Sequence, residues 1–256
     1  MDAADDTLAG VGEAATLARI LPRLPAASAQ LLGPGDDAAV LAAADGRYVV
    51  TTDLMVQGPD FRLGWSTPFD LGWKAAASNL ADVAAMGAAP TALLVAIAAP
   101  PQTPVPTLEG IADGLREACA LLAPGCGVVG GDLSVSPTFT IAVTAFGDLG
   151  GRAPVLRSGA RIGDVIAVAG PLGEAAAALE LLFSSAVTAE GLPDASLAAA
   201  LADRTAPQLA PRPPISAGVA ASLAGATAML DLSDGLAIDA GRLAAASGLA
   251  IDFDST

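Results

Sequence analysis

The chain has no histidine, one lysine and two cysteines in 256 residues. The missing histidine excludes Ser-His-Asp and Cys-His catalysis, HExxH zinc sites and any imidazole general base. With Lys74 as the only lysine, no GxxxxGK[ST] run exists, and a Walker-type phosphate cradle is excluded. Cys119 and Cys126 stand seven residues apart, which is neither CxxC spacing nor a disulfide framework. They read as two reduced thiols, one in a helix and one in the loop after it. No apolar run approaches the roughly 18 residues that cross a bilayer. The acidic start MDAADD is not the basic leader of a signal peptide. The expectation is a soluble, cytoplasmic protein.

What is present is apolar and acidic. Hydrophobic residues make up 53% and charged residues 15%, the composition of a chain that builds a core. Its length suits one large or two ordinary domains. A net charge of −15 repels nucleic acid and anionic membranes and suits metal cations. Solvation of an alanine-rich protein explains much of that total, but not where the aspartates lie. An enzyme built from this chain would work with carboxylates, eleven arginines, backbone amides and bound ions.

The periodicity predicts a short helix over 12–21 and a strand over 47–56. The clearest helix is 67–87. Thr67 is its N-cap, Pro68 fits the first turn, Asp70 completes an acidic capping box, and Gly87 with Pro90 ends it. Phe69, Trp73, Ala76, Leu80 and Val83 share its apolar face, and Lys74, Ser78 and Asp82 form a polar stripe opposite. A buried strand at 91–100, a helix at about 107–123 and strands near 127–130 and 138–147 follow. This order predicts an α/β (α+β) sheet-and-helix domain over 1–150. The glycine- and arginine-rich segment 147–164 marks the boundary to a second α/β unit over 151–256. There, DVIAVAGPLGEAAAALELLF reads as strand, turn and helix. MLDLSDGLAIDAGRLAAASG reads the same way, with Ser233 as N-cap. IDFDST reads as the start of a further strand, so the second unit reads as incomplete.

Carboxylates recur beside apolar runs: Asp36 and Asp37 in GPGDDAAV, Asp53 in YVVTTDL, Asp132 in VVGGDLS, and Asp231 and Asp234 in MLDLSDGL. Asp53 and Asp231 are expected at or near strand ends, where open α/β sheets collect ligands. Asp37, Asp132 and Asp234 are expected in adjoining turns. Any one of these is more often an Asx-turn or a cap, and Asp234 in a first helical turn has reason enough in the helix dipole. The set is what points to chemistry. Converging carboxylates repel unless cations neutralise them, and Mg²⁺ is a hard ion that takes one or two carboxylates together with phosphate oxygens. Thr51, Thr52 and Ser233 could add hydroxyl ligands, and the glycines of GPGDD, GGD and SDG would let backbone amides approach phosphate.

GDDAAV, VVTTDLMVQGPDF, WKAAASNLADVAAMGAAP, VVGGDLS, LRSGARIGD and AMLDLSDGLAID together resemble, in order and spacing, the thiamine-monophosphate kinase family of the aminoimidazole ribonucleotide synthetase (PurM-like) superfamily. The resemblance covers nearly the whole chain. It implies a two-domain PurM-like fold. It also implies ATP- and Mg²⁺-dependent phosphorylation of thiamine monophosphate to thiamine diphosphate by direct in-line transfer, and a homodimer formed through the N-terminal domains. By the same resemblance, Asp37, Asp53, Asp82, Asp132, Asp231 and Asp234 are metal carboxylates and Thr51 and Thr52 accessory ligands. Gly131, Asp132, Arg157 and Ser233 contact ATP. No protein base is implied, because the acceptor is a phosphate monoester already anionic near neutral pH. Where the family carries a substrate-contacting histidine, this chain has Asp60, which the resemblance assigns to the substrate. The family also continues past this C-terminus. Two readings stay open beside it: another ATP-using synthetase of the superfamily, and a non-catalytic nucleotide- or metal-binding dimer.

Overall fold

The computed structural model describes residues 6–34 and 39–253. Short helices α1 (Leu8–Val11) and α2 (Glu13–Ile20) and a two-stranded ribbon, β1 (Gln30–Leu32) with β2 (Val40–Leu41), precede the main sheet. That sheet contains β3 (Val49–Val56), β4 (Ala89–Ala99), β5 (Gly127–Val135) and β6 (Thr140–Asp148), in the order β3-β6-β4-β5. Only β4 and β5 run parallel.

Helices α3 (Pro68–Ala85) and α4 (Val105–Leu122) cover one face of the sheet. Alternation along β6 explains which face: Ile141, Val143 and Ala145 are buried, while Thr140, Ala142 and Thr144 are not. Two glycines let the helices touch. A Cβ on Gly72 would lie 2.0 Å from the carbonyl oxygen of Ile111, and one on Gly114 would lie 2.1 Å from that of Phe69. Leu71, Leu80, Val83, Leu93, Leu108, Ile111, Phe139 and Ile141 fill the core between helices and sheet.

Helix α3 begins as its sequence specifies. The Thr67 hydroxyl accepts from the Asp70 amide at 3.1 Å, and Asp70 Oδ2 accepts from the Thr67 amide at 2.8 Å. Its apolar face is wider than the heptad-like stripe predicts, because sheet, α4 and a later helix all press on it. Trp73, Ala76, Leu80 and Val83 are buried as expected, but Phe69 is 38% exposed and leans on Trp73.

The remainder is helical: α5 (Glu174–Ser185), α6 (Ala195–Ala200), α7 (Ala202–Leu209), α8 (Ile215–Leu223) and α9 (Leu236–Ser247). It docks on the first part at two places. The Trp65 indole packs among Leu182, Ala186 and Ala198 and donates to the Ala186 carbonyl at 2.8 Å. Gly218 of α8 lies so close to α3 that a Cβ would stand 2.1 Å from the Ala84 carbonyl oxygen. Among the described residues after Asp148, the single ladder contact is an isolated bridge between Val187 and Pro193. The runs 165–169, 228–231 and 250–253, expected as strands, therefore carry no ladder. A strand exists only where another strand takes up its backbone groups, and these runs border an open cleft instead. Val165 is 92% exposed. No helix among the described residues is long and apolar enough to cross a membrane.

Candidate functional site

Strand β3 is an edge strand, and with α3 packed on one side of the sheet its two faces look onto different surroundings. Thr51 and Asp53 pair across from Ala145 and Val143 and share their face, the one under α3. Val50, Thr52 and Leu54 take the opposite face. Asp53 thus stands in the middle of a strand, not at its end. On α3 the stripe Lys74, Ser78 and Asp82 forms as the i, i+4 spacing predicts, and it lines a cleft of about 2300 Å³. The Thr51 hydroxyl donates to Asp82 Oδ2 at 3.0 Å and so ties β3 to α3. Thr52 instead donates to the Val143 carbonyl at 3.0 Å.

The far wall comes from two loops. A 3-10 turn, Arg157–Gly159, places the Arg157 guanidinium 4.0 Å from the Asp231 carboxylate. Asp53, Asp82, Asp231, Arg157 and Ser233 all line the cleft. Burial raises the Asp82 carboxyl above the ordinary carboxylate range, and the negative charges of Asp231 and Asp53 raise it further. The Thr51 hydrogen bond and Arg157 work against that shift. Burial likewise pulls the Lys74 ammonium down, with Asp60 opposing.

Other expected ligands stand apart from this group. Asp132 lies inside β5 and not in a turn; it pairs across from Ala96, on the sheet face away from α3 and α4, and accepts from the Ser134 hydroxyl at 2.8 Å. Within one chain the sheet separates it from Asp82. Gly131 has a structural reason of its own, since a Cβ there would meet the Val95 carbonyl oxygen at 1.8 Å. Asp234 is ion-paired to Arg242. Asp231 is not at a strand end, and Ser233 is not an N-cap: α9 starts after Gly235 with no side-chain cap. Asp60 folds back, its Oδ2 accepting from the Val56 amide at 2.7 Å. Asp36 and Asp37 lie outside the described residues.

Two residues of α9 outside the expected site hold these loops. Asp239 is 1% exposed, and its Oδ2 accepts from the amides of Ser233 at 3.0 Å and Asp234 at 2.9 Å. Its Oδ1 accepts from Arg242 at 2.8 Å. The Ser247 hydroxyl donates to the Arg157 carbonyl at 2.7 Å and accepts from the Ala160 amide at 3.2 Å. A signal existed for Asp239: it falls on the apolar stripe of Leu236, Ala240 and Leu243, where a lone carboxylate must find donors.

The donor set fits a hard cation in one particular way. Among the described residues, no three Asp, Glu, Cys or His side chains stand close enough to hold a single ion. The cleft offers separated carboxylates, with Asp82 raised by burial first and by the charges of Asp231 and Asp53 after it. That suits ions held by one or two carboxylates and completed by phosphate oxygens, not an all-protein cage.

The chain resembles known proteins along most of its length. Residues 35–149 match the N-terminal domain of AIR synthase related proteins. The thiamine-monophosphate kinase of Mycobacterium tuberculosis is 45% identical over 249 residues, covering 97% of this chain and 71% of that protein. Among solved structures, the thiamine-monophosphate kinase of Stenotrophomonas maltophilia K279a superposes with a TM-score of 0.69 at 35% identity, covering 91% of this chain and 70% of the other. AaThiL complexed with AMPPCP and TMP superposes with a TM-score of 0.68 at 32% identity, covering 83% and 64%. HypE in its complex with HypF shares the fold, at 23% identity and a TM-score of 0.58. With close to half of its residues shared along nearly its entire length, the chain belongs to the thiamine-monophosphate kinase family.

Proposed function

We propose that the chain transfers the terminal phosphoryl group of ATP directly to the phosphate of thiamine monophosphate, giving thiamine diphosphate and ADP. The observation that carries this reading is the convergence of Asp53, Asp82 and Asp231, from a strand, a helix and a loop, on one cleft that also holds Arg157. Such transfer depends mainly on positioning and on neutralising charge between two polyanions. Asp53, Asp82 and Asp231 would hold Mg²⁺, which when bound screens the phosphate oxygens. Arg157 offers a forked cationic contact to a phosphate. A phosphate monoester attacks as an anion, so the lack of histidine in the chain is no obstacle.

A homodimer through the N-terminal sheet belongs to the same reading. The sheet face away from α3 and α4 exposes Val50 at 55% and Leu54 at 53%, apolar area of the kind that a partner covers. A domain boundary near residue 150 and a cytoplasmic location, where ATP is found, complete it.

The test is turnover of ATP and thiamine monophosphate with MgCl₂, with thiamine diphosphate and ADP quantified together. Equimolar formation is expected. ATP binding without thiamine diphosphate would overturn the reading in favour of a non-catalytic binding protein. Asp53→Asn should lower kcat by about 100-fold or more, the scale of a lost charge-stabilising group. It should move Tm by less than about 2 °C, because the side chain is exposed. Parallel losses of rate and Tm would assign Asp53 to folding.

A further inference from the structure

The only lysine of the chain stands in this cleft. Lys74 is half-buried in the second turn of α3. Among the described residues its ammonium makes no ion pair within 4.0 Å. Half-burial strips part of the hydration from that ammonium, which is costly while no counter-charge stands against it. Here the nearest influence is Asp60, whose carboxylate is already engaged by the Val56 amide.

The position of Lys74 along α3 gives it a distinct role. Eight residues of helix separate it from Asp82, an axial rise of about 12 Å. Asp82, Asp231 and Arg157 therefore stand toward one end of the cleft, and Lys74 toward the other. Two more cations line it. Arg161 is exposed, and Arg212 is stacked over the Trp73 ring at 5.0 Å. Lys74 is the one whose own helix face runs on to the acidic end.

We propose that Lys74 holds the phosphate monoester of the acceptor, its Nζ–H groups donating to the non-bridging oxygens. The inference rests on the kinase reading for the identity of that acceptor. It goes beyond it in naming the group that distinguishes a phosphorylated acceptor from the corresponding free alcohol. Binding moves no proton and breaks no bond; a compact charge meets a polyanion that needs a donor.

A single lysine allows a direct test. Protein made with ¹³Cε-labelled lysine gives one lysine resonance, that of Lys74. Thiamine monophosphate should shift it and raise its titration midpoint, because a phosphate favours the charged ammonium. Thiamine, which lacks the phosphate, should leave it in place. By calorimetry, Lys74→Met, which keeps the apolar stem, should weaken thiamine monophosphate binding by about 10-fold or more while thiamine binding changes less than about twofold. Lys74→Arg should recover part of the loss. A resonance that ignores thiamine monophosphate, or answers thiamine equally, overturns the proposal, as does equal binding by Lys74→Met and wild type. Each readout uses binding alone. Absence of turnover in the wild type would overturn the kinase reading while these results still decide the role of Lys74.

Discussion

Replacing Asp239 with alanine should free the turn that presents Asp231. The magnitude follows from the contacts. The carboxylate, 1% exposed, receives the Ser233 amide at 3.0 Å, the Asp234 amide at 2.9 Å and Arg242 at 2.8 Å. An amide that loses a buried acceptor costs about 1–3 kcal/mol. Ser233 and Asp234 are themselves exposed, so water replaces part of each bond and the lower end applies, giving about 2 kcal/mol for the pair. At about 1.4 kcal/mol per factor of ten, opening of the turn becomes about 30-fold more frequent. Hydrogen exchange of the Ser233 and Asp234 amides reads this directly. Asp239→Asn keeps one acceptor oxygen for the amides but turns an NH₂ donor toward Arg242, so its exchange should fall between wild type and alanine. Amides of α3 and α4 serve as the control and should not change. If exchange at Ser233 and Asp234 in Asp239→Ala stays within about threefold of wild type, the carboxylate does not hold the turn and the reasoning fails.

Two further outcomes follow from the same contacts. The Asp82 carboxyl titrates above its ordinary value because of burial and then of Asp231 and Asp53, so its ionised form costs the folded state stability above that raised pKa and nothing once both states are protonated. Asp82→Asn should therefore raise Tm at pH 7 in metal-free buffer, and the gain should shrink as pH falls toward the usual carboxylate range; melts showing the same gain at both pH values would contradict this. Gly114→Ala drives a Cβ into the Phe69 carbonyl and should cost about 2–4 kcal/mol in urea denaturation. Gly241→Ala in α9, with nothing within 4 Å of the new Cβ, should instead gain up to about 1 kcal/mol.

What the sequence showed and what it hid divide along the range of the forces involved. The start of α3 was legible because a capping box is contained in four residues, Thr67 to Asp70. The polar stripe Lys74, Ser78 and Asp82 was legible because helical spacing alone places it. Asp132 was misread as a turn residue because Gly-Gly-Asp is turn chemistry locally, whereas pairing with Ala96 carries β5 through it. Pairing is a property of two segments, and it decided against the expected strands at 165–169, 228–231 and 250–253 for the same reason. Gly131 looked like a phosphate glycine and is required by the backbone of β4.

The site's charge spacing is set by helices more than by the sheet. Along α3, Lys74 to Asp82 presents the charged groups over eight residues of one face. Along α9, Asp239 to Ser247 also spans eight residues, about 12 Å of rise, and its side chains bind loop backbone: Asp239 takes the amides beside Asp231, and Ser247 takes the carbonyl of Arg157. The two backbone segments that bring Arg157 to 4.0 Å from Asp231 are therefore held by two anchors on a single helix, though 74 residues of chain separate them. A cation entering between Asp82 and Asp231 would meet an Arg157 whose backbone is tied to the same helix as the turn beside Asp231. The guanidinium on that backbone, with its side chain 56% exposed, can swing from Asp231 to a phosphate that arrives with the ion.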